Sequence, residues 1–364
     1  MKYLTLPTRY SAEGLREFCF QVFRRVGVQK EEAEIVADSL IQADLRGVDS
    51  HGVVRTAIYL KRIESNMINP FAKVEIESES EATVLVNGNN NFGSVVGTKA
   101  LQIALEKAKN HGASIVGVKA SNHFGTGAYY ALKAIEQDMI LLVMSNASQT
   151  MPPTGGIRPF IGTNPLSIGV PAGKQLPFIL DMATSVVARG KLIVAAQKDE
   201  PIPLGWAIDK EGNPTTNPHE GLEGSVLPVG GPKGYAISMF IDILSGVLTG
   251  AGYGRYVNNM YENWEEPQNV GHFFIAIDIN RFIPLQQFKN RMDQYISEIK
   301  AEPKAKGVNE IFIPGEIEHR LVIDRQANGI VLPAKVAEEL NEIGKRYHLD
   351  LASYRFDQKI KREA

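Results

Sequence analysis

Ser114-Ile115-Val116-Gly117-Val118-Lys119-Ala120-Ser121-Asn122-His123-Phe124-Gly125 reads as a strand that runs into a histidine turn, and helical spacing follows from Gly127 to Gln137. Outward from it, Thr83–Val86 is a β-branched strand, Gly97 to Asn110 an amphipathic helix closed by Gly112, and Ile140–Met144 another strand. Strand, helix and strand in succession imply an α/β sheet with helices on its faces. The histidine turn lies just past the carboxyl end of a strand, where open α/β sheets form ligand crevices, so His123 ranks above the chain's other histidines.

A second histidine box lies upstream in Gly47-Val48-Asp49-Ser50-His51-Gly52-Val53-Val54-Arg55. Ser11 suits an N-cap, and Leu15, Phe18, Cys19, Val22, Phe23 and Val26 recur at helical spacing until Gly27. A second helix spans about Lys30 to Leu45, and a third, Val53 to Met67, sets Arg55 one turn beyond His51. The first two helices are spaced like a helix-turn-helix, but Glu31, Glu32, Glu34 and Asp38 would repel phosphate, so a packed helix pair is expected.

Downstream, Gly162-Thr163-Asn164-Pro165 precedes strands Leu166–Val170 and Phe178–Asp181, and Asp181-Met182-Ala183-Thr184-Ser185 is expected to open a helix. There the aspartate offers an acceptor for a ribose hydroxyl and the helix start offers amides to a phosphate; a plain capped helix is the alternative. In Val229-Gly230-Gly231-Pro232-Lys233-Gly234-Tyr235, glycines around a lysine ahead of a helix suit an anion. That helix, Tyr235 to Leu248, is apolar on nearly every side and is expected at the centre of the core. Phe273–Ile277 reads as a buried strand. Helices follow at Leu285–Ile299, with Phe288, Met292, Tyr295 and Ile299 on one face, and at Ala334–Tyr347. Between them Ile311–Ile313 reads as a short strand entering the turn Pro314-Gly315-Glu316. Helical material at both ends predicts a helical lobe from residues 1–72 with 284–364, around an α/β domain at 73–283.

The 364 residues carry a formal net charge of −2 with no basic cluster except Lys359-Ile360-Lys361-Arg362, which excludes a phosphate-backbone binder and leaves that stretch a solvated tail. Cys19 is the single cysteine, which rules out an intramolecular disulfide and fits a reducing compartment. No Cys/His cluster has zinc spacing, so no metal is expected. Met1 to Pro7 lacks a secretory core, and the longest apolar run, Ala236 to Leu248, is too short to span a bilayer; a cytoplasmic protein is expected.

Hydride transfer from an alcohol carbon needs a base, a substrate clamp and a hydride-accepting cofactor. His51 or His123 suits the first, Arg55 can clamp a carboxylate in two places, and Ser50 or Asn164 can add a hydrogen bond. His111 and His348 fall at helix ends, while His219, His272 and His319 are expected only to pack. Gly125-Thr126-Gly127 and Gly250-Ala251-Gly252 lack the third glycine of a dinucleotide fingerprint. From residues alone the chain has a polar pocket for an anion, and a small-anion binding protein stays open beside a dehydrogenase.

The boxes Asp44-Leu45-Arg46-Gly47-Val48-Asp49-Ser50-His51-Gly52, Asn122-His123-Phe124-Gly125, Gly162-Thr163-Asn164-Pro165, Asp181 to Ser185 and Gly231-Pro232-Lys233-Gly234-Tyr235 resemble, in order and over nearly the whole chain, the malate/L-lactate dehydrogenase family. The resemblance implies an α/β fold with a non-Rossmann central mixed sheet, dependence on NAD or NADP, and a homodimer with its active site in a cleft between lobes. It carries the cofactor onto Asp181, Met182, Ala183, Thr184 and Ser185, Lys233 and Gly234, and Pro314, Gly315 and Glu316. It leaves the acid/base on His51 or His123. A serine that touches the cofactor in some members aligns with Ala147, with Ser145 and Ser148 nearby. The implied substrate is a small 2-hydroxy or 2-keto acid, malate first, then ureidoglycolate or a keto-sugar acid.

Overall fold

The computed structural model describes residues 8–356, so the Met1–Pro7 segment and the basic stretch at Lys359–Arg362 lie outside the described residues. The chain divides into two units, one built from the two ends (up to Phe71 and from Phe312 on), the other from Ala72–Ile311. The end unit opens with β1 (Arg9–Tyr10), α1 (Ala12–Arg25), α2 (Lys30–Leu45) and α3 (Arg55–Glu64). Ser11 Oγ caps α1 by accepting the Gly14 N–H at 2.9 Å. The stripe Leu15, Phe18, Cys19, Val22 and Phe23 is fully buried, and α1 packs on α2 as the charge pattern predicts. α3 begins two residues later than the spacing predicts and ends at Glu64, where Asn66 takes a left-handed φ of 58°.

The sheet unit contains β2 (Glu75–Glu79), β3 (Thr83–Asn87), α4 (Gly93–His111), β4 (Ala113–Ser121), α5 (Gly127–Ile135), β5 (Met139–Ser145), β6 (Leu166–Val170) and β7 (Phe178–Met182). After these come α6 (Arg189–Gln197) and α7 (Pro218–Glu223), beside a small antiparallel sheet of β8 (Ala207–Ile208), β9 (Pro214–Thr215) and β10 (Ser225–Val226). Next are α8 (Pro232–Asp242), β11 (Val270–Asp278) and α9 (Leu285–Ala301). The main sheet has the order β2-β3-β4-β11-β5-β6-β7; β3 and β4 run parallel and every other neighbouring pair is antiparallel. It is the mixed sheet expected, with β11 at its middle. Alternation at period two sends Val84, Val86, Val116, Val118, Leu141, Val143, Phe274 and Ala276 to one face, where they meet Val96, Ala100, Leu101, Ala104 and Leu105 of α4 and Tyr130 and Ala134 of α5. On the other face Phe273 and Met144 meet Ile241 of α8.

Three expectations are corrected here. The helix at Tyr235–Leu248 is not central to the core. It is α8 continued by a π-helical turn at Ile243–Val247, burying only a strip with Gly234, Ser238, Ile241, Asp242, Ser245 and Gly246, while Phe240 and Leu248 stay 57% and 64% exposed. A strip of small residues lets the helix lie close to the sheet and turns its bulky residues away. The helix expected at Ser185 starts at Arg189 instead. α9 groups with the sheet and not with the ends, because Asp293 accepts the N–H groups of Gly173, Lys174 and Gln175 in the β6–β7 turn at 2.7–3.0 Å and Lys289 pairs with Asp138 at 2.5 Å. Ile296 is its buried residue, and Tyr295 is 60% exposed.

The end unit resumes with the turn at Pro314-Gly315, α10 (Glu316–Asn328), β12 (Ile330–Val331), which pairs antiparallel with β1, and α11 (Ala334–Arg346). Ile311–Ile313 forms no strand. α10 was not expected, since its Ile317 and Ile323 are more than half exposed and it has no apolar stripe to read. The sheet core predicts that Phe274→Ala, which removes a fully buried ring packed edge-on against Tyr130, lowers stability by about 3–5 kcal/mol, measured as a shift of the urea midpoint at unchanged slope.

Candidate active site

In the end unit the first box folds as one turn. Gly47, at φ 78°, takes the left-handed step after α2, and Asp49–His51 follow as a single 3-10 turn closed by His51 N–H on Val48 O at 2.8 Å. Arg325 of α10 pairs with the Asp49 carboxylate and also donates to Asp44 O, clamping the turn from outside. From inside, the buried Asp44 Oδ2 accepts the Val53 N–H at 2.9 Å, which holds that amide out of the α3 ladder. The same carboxylate lies so close to Gly52 that any Cβ there would overlap it. Burial pushes the Asp44 carboxyl up to about 8, with Asp49 adding to the rise and the Val53 N–H and Arg325 opposing it.

Ser50, His51 and Arg55 are brought together on this turn. Ser50 Oγ and His51 Nδ1 are 2.9 Å apart, and Arg55 Nε donates to Ser50 O at 2.6 Å. Burial, reinforced by the Arg55 guanidinium, pushes His51 down to about 3, and burial also lowers Arg55. A neutral imidazole beside a guanidinium offers a proton acceptor next to an anion clamp. Pro314, Gly315 and Glu316 belong to the same unit. Gly315 takes φ 98°, and the buried Glu316 returns its Oε2 to the Ile313 N–H at 3.1 Å.

In the sheet unit, β4 ends at Ser121 and the second box turns into α5. The buried Asn122 donates through Nδ2 to Asn90 O, Asn90 Oδ1 and Asn91 O at 3.2, 2.9 and 3.0 Å, and its Oδ1 has no partner among the described residues. His123, half-buried, donates its N–H to Gln268 Oε1 at 3.0 Å, and Gly125 supplies the left-handed step at φ 82°. Asp181, at the end of β7, accepts the Ala128 N–H at 3.2 Å and the Ser167 hydroxyl. It therefore stands at the N-terminus of α5, beside the His123 turn, and not at a helix start of its own.

Thr184 and Ser185 are linked to the glycine turn before α8. Val229 N–H donates to Thr184 O at 2.9 Å and Val186 N–H to Leu227 O at 2.8 Å. Thr184 Oγ1 and Ser185 Oγ are buried without a partner among the described residues, while Met182 and Ala183 are half-buried beside them. Gly230 and Gly231 have φ 60° and 63°, and a Cβ on either would meet nothing within 4 Å. Lys233 is exposed in the first turn of α8, inside the helix and not ahead of it, and Gly234 has no room for a Cβ against Val229 O. Unpartnered hydroxyls, an open glycine turn and an ammonium on a helix start fit the diphosphate of a dinucleotide.

Asn164 is the exception among the expected substrate contacts. Its side chain is fully buried, accepts the Ala147 N–H at 2.9 Å and donates to Ser238 O at 2.9 Å, so it ties the β5 loop to α8. Of the serines near Ala147, Ser145 is buried and engaged with His272 at 2.9 Å. The pairing of Asp44 with Arg325 is not visible in the sequence because 281 residues separate the partners; His272, expected only to pack, is indeed buried, in an apolar strand that hides its two serine partners.

A family model described as malate/L-lactate dehydrogenase matches residues 10–341. A malate dehydrogenase of Pyrococcus horikoshii is 44% identical over 346 residues, 93% of this chain and 95% of that protein. A malate/(S)-sulfolactate dehydrogenase of Methanothermus fervidus is 40% identical over 94% of this chain and 98% of its own length. The solved sulfolactate dehydrogenase of Methanocaldococcus jannaschii superposes with a TM-score of 0.90 at 39% identity, covering 95% of this chain and 99% of that one. More distant relatives are named for NAD(+) in Escherichia coli, at 33% identity over 85% of this chain, and for NADP(+) in Chromohalobacter salexigens, at 32% over 86%.

The carboxyl under the His51 turn has a pH consequence. Asp44 is raised in the fold, so its contribution to stability is complete below about pH 4 and is lost as pH rises through about 8. Asp44→Asn keeps an acceptor for the Val53 N–H and removes the titration. Urea midpoints measured from about pH 5 to about pH 9 should fall for the parent protein and stay flatter for the variant. Parallel curves would show that Asp44 titrates normally.

Proposed function

This chain belongs to the malate/L-lactate dehydrogenase family, and on that premise we propose that it interconverts a small 2-hydroxy acid and its 2-keto acid, malate and oxaloacetate first, with NAD or NADP. The observation that carries the reading is the turn holding Arg55 and the neutral His51 side by side. Arg55 binds a substrate carboxylate, Ser50 adds a hydrogen bond, and His51 or His123 exchanges the hydroxyl proton. Asp181 to Ser185, Lys233 and Gly234 hold the cofactor, as do Pro314 to Glu316. The nicotinamide, when bound, supplies hydride acceptance.

A panel of malate, sulfolactate, ureidoglycolate and sugar acids, followed at 340 nm with each cofactor, tests this reading. Turnover of malate supports it, turnover of another acid alone moves the substrate, and no turnover with bound cofactor leaves a small-anion binding protein. Replacing the true acid/base, His51→Gln or His123→Gln, should cut kcat about 10²–10⁴-fold with cofactor binding retained. Arg55→Lys should raise KM for the acid by about tenfold or more, since two-point clamping is lost.

A homodimer belongs to the same proposal, supported by the exposed apolar side of α8 and the turn after it, at Phe240, Ile243, Val247 and Leu248. Phe240→Glu should shift the sedimentation coefficient from dimer to monomer; an unchanged dimer would place the interface elsewhere. A cytoplasmic setting rests on the single cysteine, buried and unpaired.

A further inference from the structure

His272 has no part in the reading above, yet it occupies the middle of the sheet where two site loops begin. Its ring is fully buried in β11, with Nε2 2.8 Å from Ser121 Oγ and Nδ1 2.9 Å from Ser145 Oγ. Ser121 ends β4 and Ser145 ends β5, so the next residues are Asn122-His123 on one side and Asn146-Ala147 on the other. The ring also stacks on Phe124, three residues beyond the end of β4, with centroids 4.4 Å apart and planes 9° from parallel. Phe124 is fixed in turn by Tyr130, whose hydroxyl donates to Phe124 O at 2.7 Å.

The protons can be placed by counting. Ser145 donates its hydroxyl to the Asn146 carbonyl at 3.0 Å, with the Gly271 carbonyl at 3.3 Å, so towards the ring it accepts, and Nδ1 carries the hydrogen. Nε2 is then the bare nitrogen and accepts from the Ser121 hydroxyl, whose other acceptor, the Asn122 carbonyl, lies farther off at 3.5 Å. Burial pushes the ring's pKa down to about 3, against the raising effect of the Asn122 and Gly271 carbonyls, which keeps the one-donor, one-acceptor form.

We propose that His272 is a positioning residue: one neutral imidazole that sets both the His123 turn, through Ser121 and Phe124, and the loop at Ala147, through Ser145. It rests on the reading that His123 serves the reacting group and that the Ala147 loop borders the cofactor. Ser121 and Ser145 meet the ring at opposite nitrogens, so each half of the bridge can be cut alone.

Ser121→Ala and Ser145→Ala cut one bond each. His272→Asn keeps an amide near the Nδ1 position and His272→Gln keeps one near Nε2, so each retains one half of the bridge. Ser121→Ala and His272→Asn should lower kcat, by up to about a hundredfold, the scale of a small misplacement of a reacting group, with little change in cofactor affinity. Ser145→Ala and His272→Gln should weaken cofactor binding in a fluorescence titration and change kcat less. If the histidine variants do not fold, the serine pair decides alone. Losses that fail to split in this way, whether uniform or absent, in folded protein with an active parent overturn the proposal. A parent inactive on the whole acid panel instead overturns the functional reading, and with it this one.

Discussion

The structure depends on β11 lying between β4 and β5 and pairing antiparallel with both. Phe274 and Ala276 fill one core from this strand, and Phe273 fills the other. Ser121 and His272 meet across 151 residues of sequence, so the β4–β5 gap is filled by a strand from far down the chain. Such pairing carries a large loop-closure entropy and is expected to form late in folding. Until then the ends of β4 and β5, and the turns they carry, have nothing between them.

The second face of the sheet follows from the same strand. Gly271 in β11 has no Cβ, and one placed there would overlap Ser245 O, while Gly246 is similarly closed by Gly252 O. The π-helical turn after α8 thus sits directly on the sheet, and a polar seam seals it: Asn146 Nδ2 donates to Asp242 Oδ1 at 3.2 Å and Asp242 Oδ2 accepts the Gly254 N–H at 2.8 Å. Close approach through small residues leaves the helix's bulky side uncovered in the single chain. Apolar residues there are a surface and not a core, which is why apolarity all round misread that helix.

Elements with a stripe were legible in the sequence: α1 and α2 fall where Leu15 to Phe23 and Ala33 to Ile41 recur, and the strands with β-branched alternation are found to within a few residues. α10 was not, because an exposed helix held by Arg325 and Leu321 has no period to show. The turns at His51 and His123 were legible as glycine-flanked histidines. Their supports were not, since Asp44, Arg325, His272 and the α5-capping role of Asp181 all depend on partners remote in sequence. Asn164 shows the converse, in that a polar residue in a Gly-Thr-Asn-Pro turn reads as an extra hydrogen-bonding group for a substrate, whereas both ends of its amide are buried and bonded within the fold.

Both histidine turns are stiffened by groups held in their neutral forms, Asp44 and His272 buried and His51 half-buried. Asp44 is raised to about 8, so near neutral pH its carboxyl is largely protonated, while His51 and His272 are lowered to about 3 and stay unprotonated. The signs oppose. Each histidine's contribution is present above about pH 6.5 and lost as pH falls, whereas that of Asp44 is present at low pH and lost as pH rises. Between about pH 3 and about pH 8 Asp44 and His272 are both neutral in the fold, which avoids the desolvation cost of an ion at either place. The charged pair of the His51 turn, Arg325 with Asp49, sits at its outer side, where Asp49 is exposed and water screens it. Neutral Asp44 beneath the turn and the Arg325–Asp49 pair outside it leave His51 unprotonated beside the Arg55 guanidinium, the arrangement on which the proposed binding of a carboxylate depends.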